Sequence, residues 1–144
     1  MRTWLFNRIS THTPLKTIID TARSSNITLA DQVSQGEVLS DRLFPKPYIF
    51  YNIGNRTNQN MAEDTLVYNQ FFQIYIHDQP GDYTLIDALV KELINLLNEA
   101  VGEEGTYQIV RVRFLEVSGD LDDDTLGTIL RYVRFVAVIK ENTA

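Results

Sequence analysis

The residues with the clearest capacity for chemistry are three aspartates in alternation, Asp120, Asp122 and Asp124. That spacing matches the first three ligands of a calcium loop, which also needs glycine at its sixth position and a bidentate glutamate at its twelfth. Those positions hold Thr125 and Arg131, so the segment, with Asp123 inside it, reads as a solvated acidic hairpin loop. His77, Asp78 and Asp82 form the one histidine–carboxylate cluster. His12 is remote in sequence and the chain has no cysteine, so a zinc site lacks ligands. No G-x-S-x-G elbow accompanies the cluster; His77 reads as a strand end and Asp78 as part of the turn after it. Glycines are never adjacent or next-but-one, and none precedes a Lys-Ser or Lys-Thr pair, so no loop cradles a phosphate.

Arg111, Arg113, Arg131 and Arg134 gather cations on two neighbouring predicted strands, with Tyr107 and Phe114 close by. Such a surface could stack single-stranded nucleic acid. The charge of the whole chain opposes that use: 13 Lys and Arg stand against 19 Asp and Glu, a net −6. Phosphate neutralisation dominates nucleic-acid affinity, so pairing with Glu116 and carboxylates of adjacent strands is the better account. No catalytic constellation and no cofactor site survives.

These groups need a scaffold, and the chain has the means to build one. Its 144 residues, 44% of them apolar, suit one domain over residues 1–144 with a single core. The missing cysteines exclude a disulfide framework. No run reaches the roughly 18 apolar residues of a membrane-spanning helix, and the start MRTWLFNRIS does not read as a secretory signal.

Residues 1–26 read as helical. Trp4, Leu5, Arg8 and Ile9 suit a short amphipathic turn, and Thr13 suits an N-cap with Pro14 first in the helix. Leu15, Ile18, Ile19 and Ala22 then make one stripe, ended by Ser24, Ser25 and Asn26. A short edge strand fits 27–33, and 34–47 reads as irregular. The body spans 48–140. Tyr48–Ile53 reads as a strand stopped by Gly54 and Asn55, and the polar run 56–65, with Arg56, Asn58 and Asn60, as an exposed loop. Leu66–His77 alternates as a strand, with Leu66, Tyr68, Phe72, Ile74 and Ile76 on its buried face.

A turn at 78–82 leads into the strongest helix. Asp82 or Thr84 can cap it, and its apolar stripe runs from Ile86 to Val101 before Gly102 and Gly105 stop it. Strands over 107–118 and 128–140 follow, joined by a loop at 119–127. The expected fold is α+β: a largely antiparallel sheet of four to five strands with helices on one face. Phe71, Tyr75, Tyr132, Val136 and Val138 lie opposite the core residues of their strands. That second apolar face calls for a cover, from this chain or a neighbouring copy.

Three strings carry a family likeness: PYIFYNIGNRTN (47–58), FFQIYIHDQPGDYTLIDALVKEL (71–93) and VRFLEVSGDLDDDTLGTILRYVRFVAVI (112–139). They resemble the tail terminator, or tail completion, proteins of long-tailed bacteriophages. The resemblance implies an α+β virion subunit that is assembled in the host cytoplasm and forms a homo-oligomeric, hexameric ring. Such a ring caps the tail tube, stops its polymerisation and joins the tail to the head. Its partners would be the tail tube protein and a head-completion or neck protein, with DNA passing through unbound and no membrane, cofactor or reaction involved. The resemblance carries over regions rather than single residues; the charges, polar runs and second apolar face offer Arg56, Asn58, Asn60, Phe71, Tyr75, Arg111, Arg113, Asp120, Asp122, Asp123, Asp124, Arg134 and Val136 as candidates for its contacts. Two other readings stand beside it: another connector or tube subunit of the same fold, and a small hydrolase using His77 and Asp78.

Overall fold

The computed structural model describes residues 1–23, 27–35, 46–62 and 65–142, with only the backbone of 58–62. The expected helix stop at 24–26 and most of the expected irregular stretch, 36–45, lie outside the described residues. Two helices come first, α1 (Arg2–Ser10) and α2 (Thr13–Ala22). The cap of α2 falls one residue earlier than expected, at His12, whose Nε2 lies 2.8 Å from Glu92.

Residues 27–33 do not form the expected strand. A 3-10 turn occupies Leu29–Gln32, and strand β1 (Val33–Gln35) begins after it, running parallel to β2. Strand β2 (Tyr48–Ala62) is much longer than Tyr48–Ile53. The polar run read as a loop is its second half, paired with β3 (Thr65–Asp78) through Arg56↔Gln70, Asn58↔Tyr68 and Ala62↔Thr65. Two register shifts, between Ile53 and Arg56 and between Asn58 and Asn60, bend the strand. Gly54, expected to end it, sits inside the first bulge. There the Gln70 side-chain amide donates to the carbonyls of Gly54 (2.7 Å), Phe71 (3.1 Å) and Asn55 (3.2 Å).

Helix α3 (Thr84–Leu97) buries Ile86, Leu89, Val90, Leu93 and Leu97 of the predicted stripe, and Leu85 beside them. Each such side chain contributes roughly 1.5–3 kcal/mol when fully buried. The N-cap falls on Tyr83, between the two proposed residues, and Asp82 Oδ1 accepts the Thr84 amide at 3.0 Å from just before it. The helix ends earlier than expected because its next residues find better partners. Glu99 turns to φ +67° and donates its amide to the Val112 carbonyl at 2.7 Å, while Val112 donates to Ala100 at 3.1 Å. Gly102 therefore opens a short strand, β4 (Gly102–Glu104), and Val101 is left 63% exposed.

Strand β5 (Tyr107–Val117) and strand β7 (Thr128–Asn142) match the expected pair. Between them the presumed loop holds one more strand, β6 (Leu121–Asp123), hydrogen-bonded to β7. Among the described residues the sheet thus has seven strands rather than four or five, in the order β1-β2-β3-β7-β5-β4 with β6 also on β7, and it is mixed because β1 is parallel. Its helix-covered face supplies Ile49, Tyr51, Phe72, Ile74, Ile76, Ile109, Val112, Val133, Phe135, Ala137 and Ile139 to the core. Leu5, Ile9, Leu15, Ile19 and the α3 stripe complete it.

Candidate assembly interface

The face of the sheet away from the helices is read row by row across the strands. One row is Tyr48, His77 and Leu130; the next is Phe50, Tyr75 and Tyr132. Asn52, Gln73, Arg134 and Glu116 follow, and then Phe71, Val136 and Arg113. Its chemistry changes along the strands. At one end the aromatic rings stack, with Tyr48–His77 and Phe50–Tyr75 centroids 4.8 Å apart. Tyr48, Phe50 and His77 are buried there, whereas Phe71, Tyr75 and Val136 are only half-buried. Farther along, Arg134 donates to Glu116 at 2.8 Å.

The second face is therefore partly covered, and the most exposed apolar groups lie elsewhere. Among the described residues the large exposed apolar side chains are Val101, Val110, Phe114, Leu115 and Leu121. All belong to β5 or to the segments flanking it. Hydrophobic periodicity points to sheet faces and overlooks this edge; the signal that could have found it was Val110 and Leu115 beside the charged Arg111 and Glu116.

Three of the four arginines, Arg111, Arg131 and Arg134, pair with carboxylates as expected. Arg111 makes two 2.7 Å hydrogen bonds to Glu99, and this contact holds the Glu99 carboxyl below its ordinary range. Arg113 is exposed and has no carboxylate partner among the described residues. Arg56 is exposed and covers the Tyr68 ring at 4.9 Å. Asn58 and Asn60 stand in the second half of β2, beyond its pairing with β1, opposite Tyr68 and Val67.

The acidic segment is not the extended loop that its charge suggested. Asp120 lies 2.6 Å from Arg131, which also approaches Asp87 at 2.9 Å and covers the Tyr83 ring at 5.0 Å. Asp123 Oδ1 accepts the Leu126 amide at 3.0 Å and shapes the turn into β7. Asp122 and Asp124 remain as the outward charges. The alternating aspartates thus diverge in role, and no trio of His, Asp or Glu among the described residues is grouped to hold a metal.

His77 and Asp78 also part company, because adjacent strand residues face opposite ways. His77 is 1% exposed, with Nδ1 2.7 Å from the Thr128 hydroxyl, and burial pushes its pKa down to about 4. Asp78 turns to the helix side, where it accepts from Arg23 at 2.8 Å. The structure does not bring the two into one catalytic site. Arg23, Asp87, Glu99 and Gln70, which hold these features in place, were missed, since their partners are distant in sequence.

No protein-family model and no curated protein matches this sequence. A solved structure does match its fold: a chain of the virion of a native gene transfer agent (GTA) particle, at a TM-score of 0.65. The likeness covers 94% of this chain and 90% of that one, at 11% sequence identity.

Proposed function

We propose that the chain is a structural subunit of a phage-like virion, and that it forms a closed ring at the end of a tail tube. The observation that carries this reading is the fold shared with the gene-transfer-agent virion chain over nearly the full length of both. The ring position itself rests on the resemblance of 47–58, 71–93 and 112–139 to tail terminators. The apolar β5 edge and the half-buried Phe71, Tyr75 and Val136 offer the contact surface. Burying them yields about 25 cal/mol per Å² before the costs of association. Arg56, Asn58, Asn60, Arg111, Arg113 and Arg134 would border that contact, and Asp122 and Asp124 would meet the tube or the neck protein. A net charge of −6 suits a channel that DNA crosses without adhering.

Native mass spectrometry beside negative-stain imaging, with and without isolated tails, tests the proposal. Closed six-membered rings that stop tube growth are the expected outcome. Strict monomers at high concentration and on tails would overturn it. Open filaments would reassign the chain as a tube subunit, because a contact that fails to close propagates without end.

A further inference from the structure

Helix α3 hands over at Asn98 to a short segment that runs back along the outer side of β5. It takes up the outward backbone groups of β5 that lie beyond the pairing with β4. The Val112 carbonyl accepts the Glu99 amide at 2.7 Å, and the Val112 amide donates to the Ala100 carbonyl at 3.1 Å. The Phe114 amide donates to Asn98 Oδ1 at 3.0 Å, so a side-chain carboxamide stands in for the carbonyl of a neighbouring strand. Glu99 and Ala100 together oppose Val112, the pattern of a bulge whose first position ordinarily takes glycine. Among the described residues Glu99 is the one non-glycine with positive φ, at +67°. Its carboxylate makes two 2.7 Å bonds to Arg111 of β5, which hold it in a conformation its own backbone disfavours.

The edge beneath this segment is complementary to a second copy of itself. A register shift at Leu115 places Arg113 and Glu116 on the face away from the helices, and Val112 and Val117 on the core side. Consider two β5 strands laid antiparallel about a twofold axis between residues 114 and 115. Arg113, which has no carboxylate partner among the described residues, then meets the Glu116 that Arg134 holds in place. Val112 meets Val117, and the exposed Phe114 meets the exposed Leu115. Each opposed pair agrees in face and in chemistry, as a twofold contact requires. Such pairing needs the outward groups of Val112 and Phe114, and these are taken. We propose that residues 98–101 are an edge guard, clamped by Asn98 and Glu99, which denies β5 to the β5 of a second copy. With the guard shut, Val110, Phe114 and Leu115 meet neighbours through side chains alone, and no twofold pair withdraws subunits from a head-to-tail assembly. The outer side of the guard does not itself recruit a strand, because it is short, bulged and carries the charge of Glu103.

Asn98→Ala with Glu99→Ala removes both clamps and leaves the backbone at 99 uncompensated. Hydrogen exchange at the Val112 and Phe114 amides is expected to quicken roughly tenfold, while α3 and the β3–β7 pairing keep their protection. Sedimentation at rising concentration should then reveal a two-copy species that the wild-type protein lacks. Adding Glu116→Arg should remove that species, and adding Arg113→Glu as well should bring it back. Asn98→Ala with Glu99→Gly, in which glycine suits the positive φ, should return protection to Val112. Unchanged exchange at both amides, an opened variant that gains no two-copy species, or one indifferent to the charge reversals would overturn the proposal. A two-copy species already present in the wild type would overturn it also. Should the double alanine variant fold poorly, Asn98→Ala alone frees the Phe114 amide and is held to the same outcomes. None of these readouts requires a ring, so they fail or succeed independently of the tail-end function.

Discussion

The carboxylate of Asp120 lies 2.6 Å from the guanidinium of Arg131, which ties the acidic β6 segment to the central strand β7. Arg131 also reaches Asp87 and the Ser118 carbonyl and lies over the Tyr83 ring, so one side chain gathers β6, α3 and β7. Individual exposed ion pairs contribute little, about 0–1 kcal/mol, but this group loses several contacts together. Arg131→Ala is expected to lower stability by about 1–3 kcal/mol in urea denaturation and to raise amide exchange over 118–128. Arg131→Lys should recover only part of that loss, because an ammonium lacks the planar fork.

Since Asp120 and Asp123 are occupied within the chain, the charges free to meet a partner are Asp122 and Asp124. The double replacement Asp122→Asn, Asp124→Asn should leave the urea midpoint unchanged and impair head joining or tail-length control. Normal tails and infectivity from that variant would return the segment to a plain solvated turn.

Burial of His77 sets a pH dependence. The imidazole titrates near 6.5 when unfolded and at about 4 in the folded protein. Between those values the unfolded chain binds the extra proton, so stability falls as pH falls. The contribution is fully present above 6.5 and is lost through the window down to about 4, at about 1.4 kcal/mol per pH unit. His77→Phe preserves an aromatic ring in the stack. The difference between its urea midpoint and that of the native protein should change across this window and level off outside it.

Gln70→Leu removes the donor shared among the Gly54, Asn55 and Phe71 carbonyls in the β2 bulge. These bonds are only part-buried, so water can replace the donor and the loss is about 0.5–1.5 kcal/mol. The loss should appear both in denaturant melts and as faster hydrogen exchange confined to the β2–β3 hairpin.

Calcium is expected to leave the melting temperature unchanged. A specific site held at 100 times its dissociation constant would add about 2.7 kcal/mol, and an EDTA-reversible rise of several degrees would restore the acidic segment as a cation site.

What could be read from residue order follows burial. Phe72, Ile74 and Ile76 on β3, Val133 to Ile139 on β7, and the Ile86–Leu97 stripe of α3 all bury a face, and a buried face leaves a period. Arg56 to Asn60 sit in the half of β2 that β1 does not flank, where a polar composition mimics a loop, so periodicity had nothing to register there. Leu121–Asp123 is too short to show any period and is held by its pairing with Thr128–Leu130 of β7. The Arg23–Asp78 pair joins residues far apart along the chain, and neither residue type announces the other.

The docking of α1 has a consequence for synthesis. Glu104 accepts the amides of Thr3 and Trp4, Arg8 donates to the Leu96 carbonyl, and a side chain at Gly102 would collide with the Trp4 indole. Helix α1 is thus fastened by residues synthesised roughly a hundred positions after it. Until then Leu5 and Ile9 have no finished seat, and the nascent chain carries their apolar surface uncovered. Chaperone capture of the emerging chain should be strongest before residue 104 and fall once β4 and β5 are out. Variants that enlarge Gly102 should prolong it.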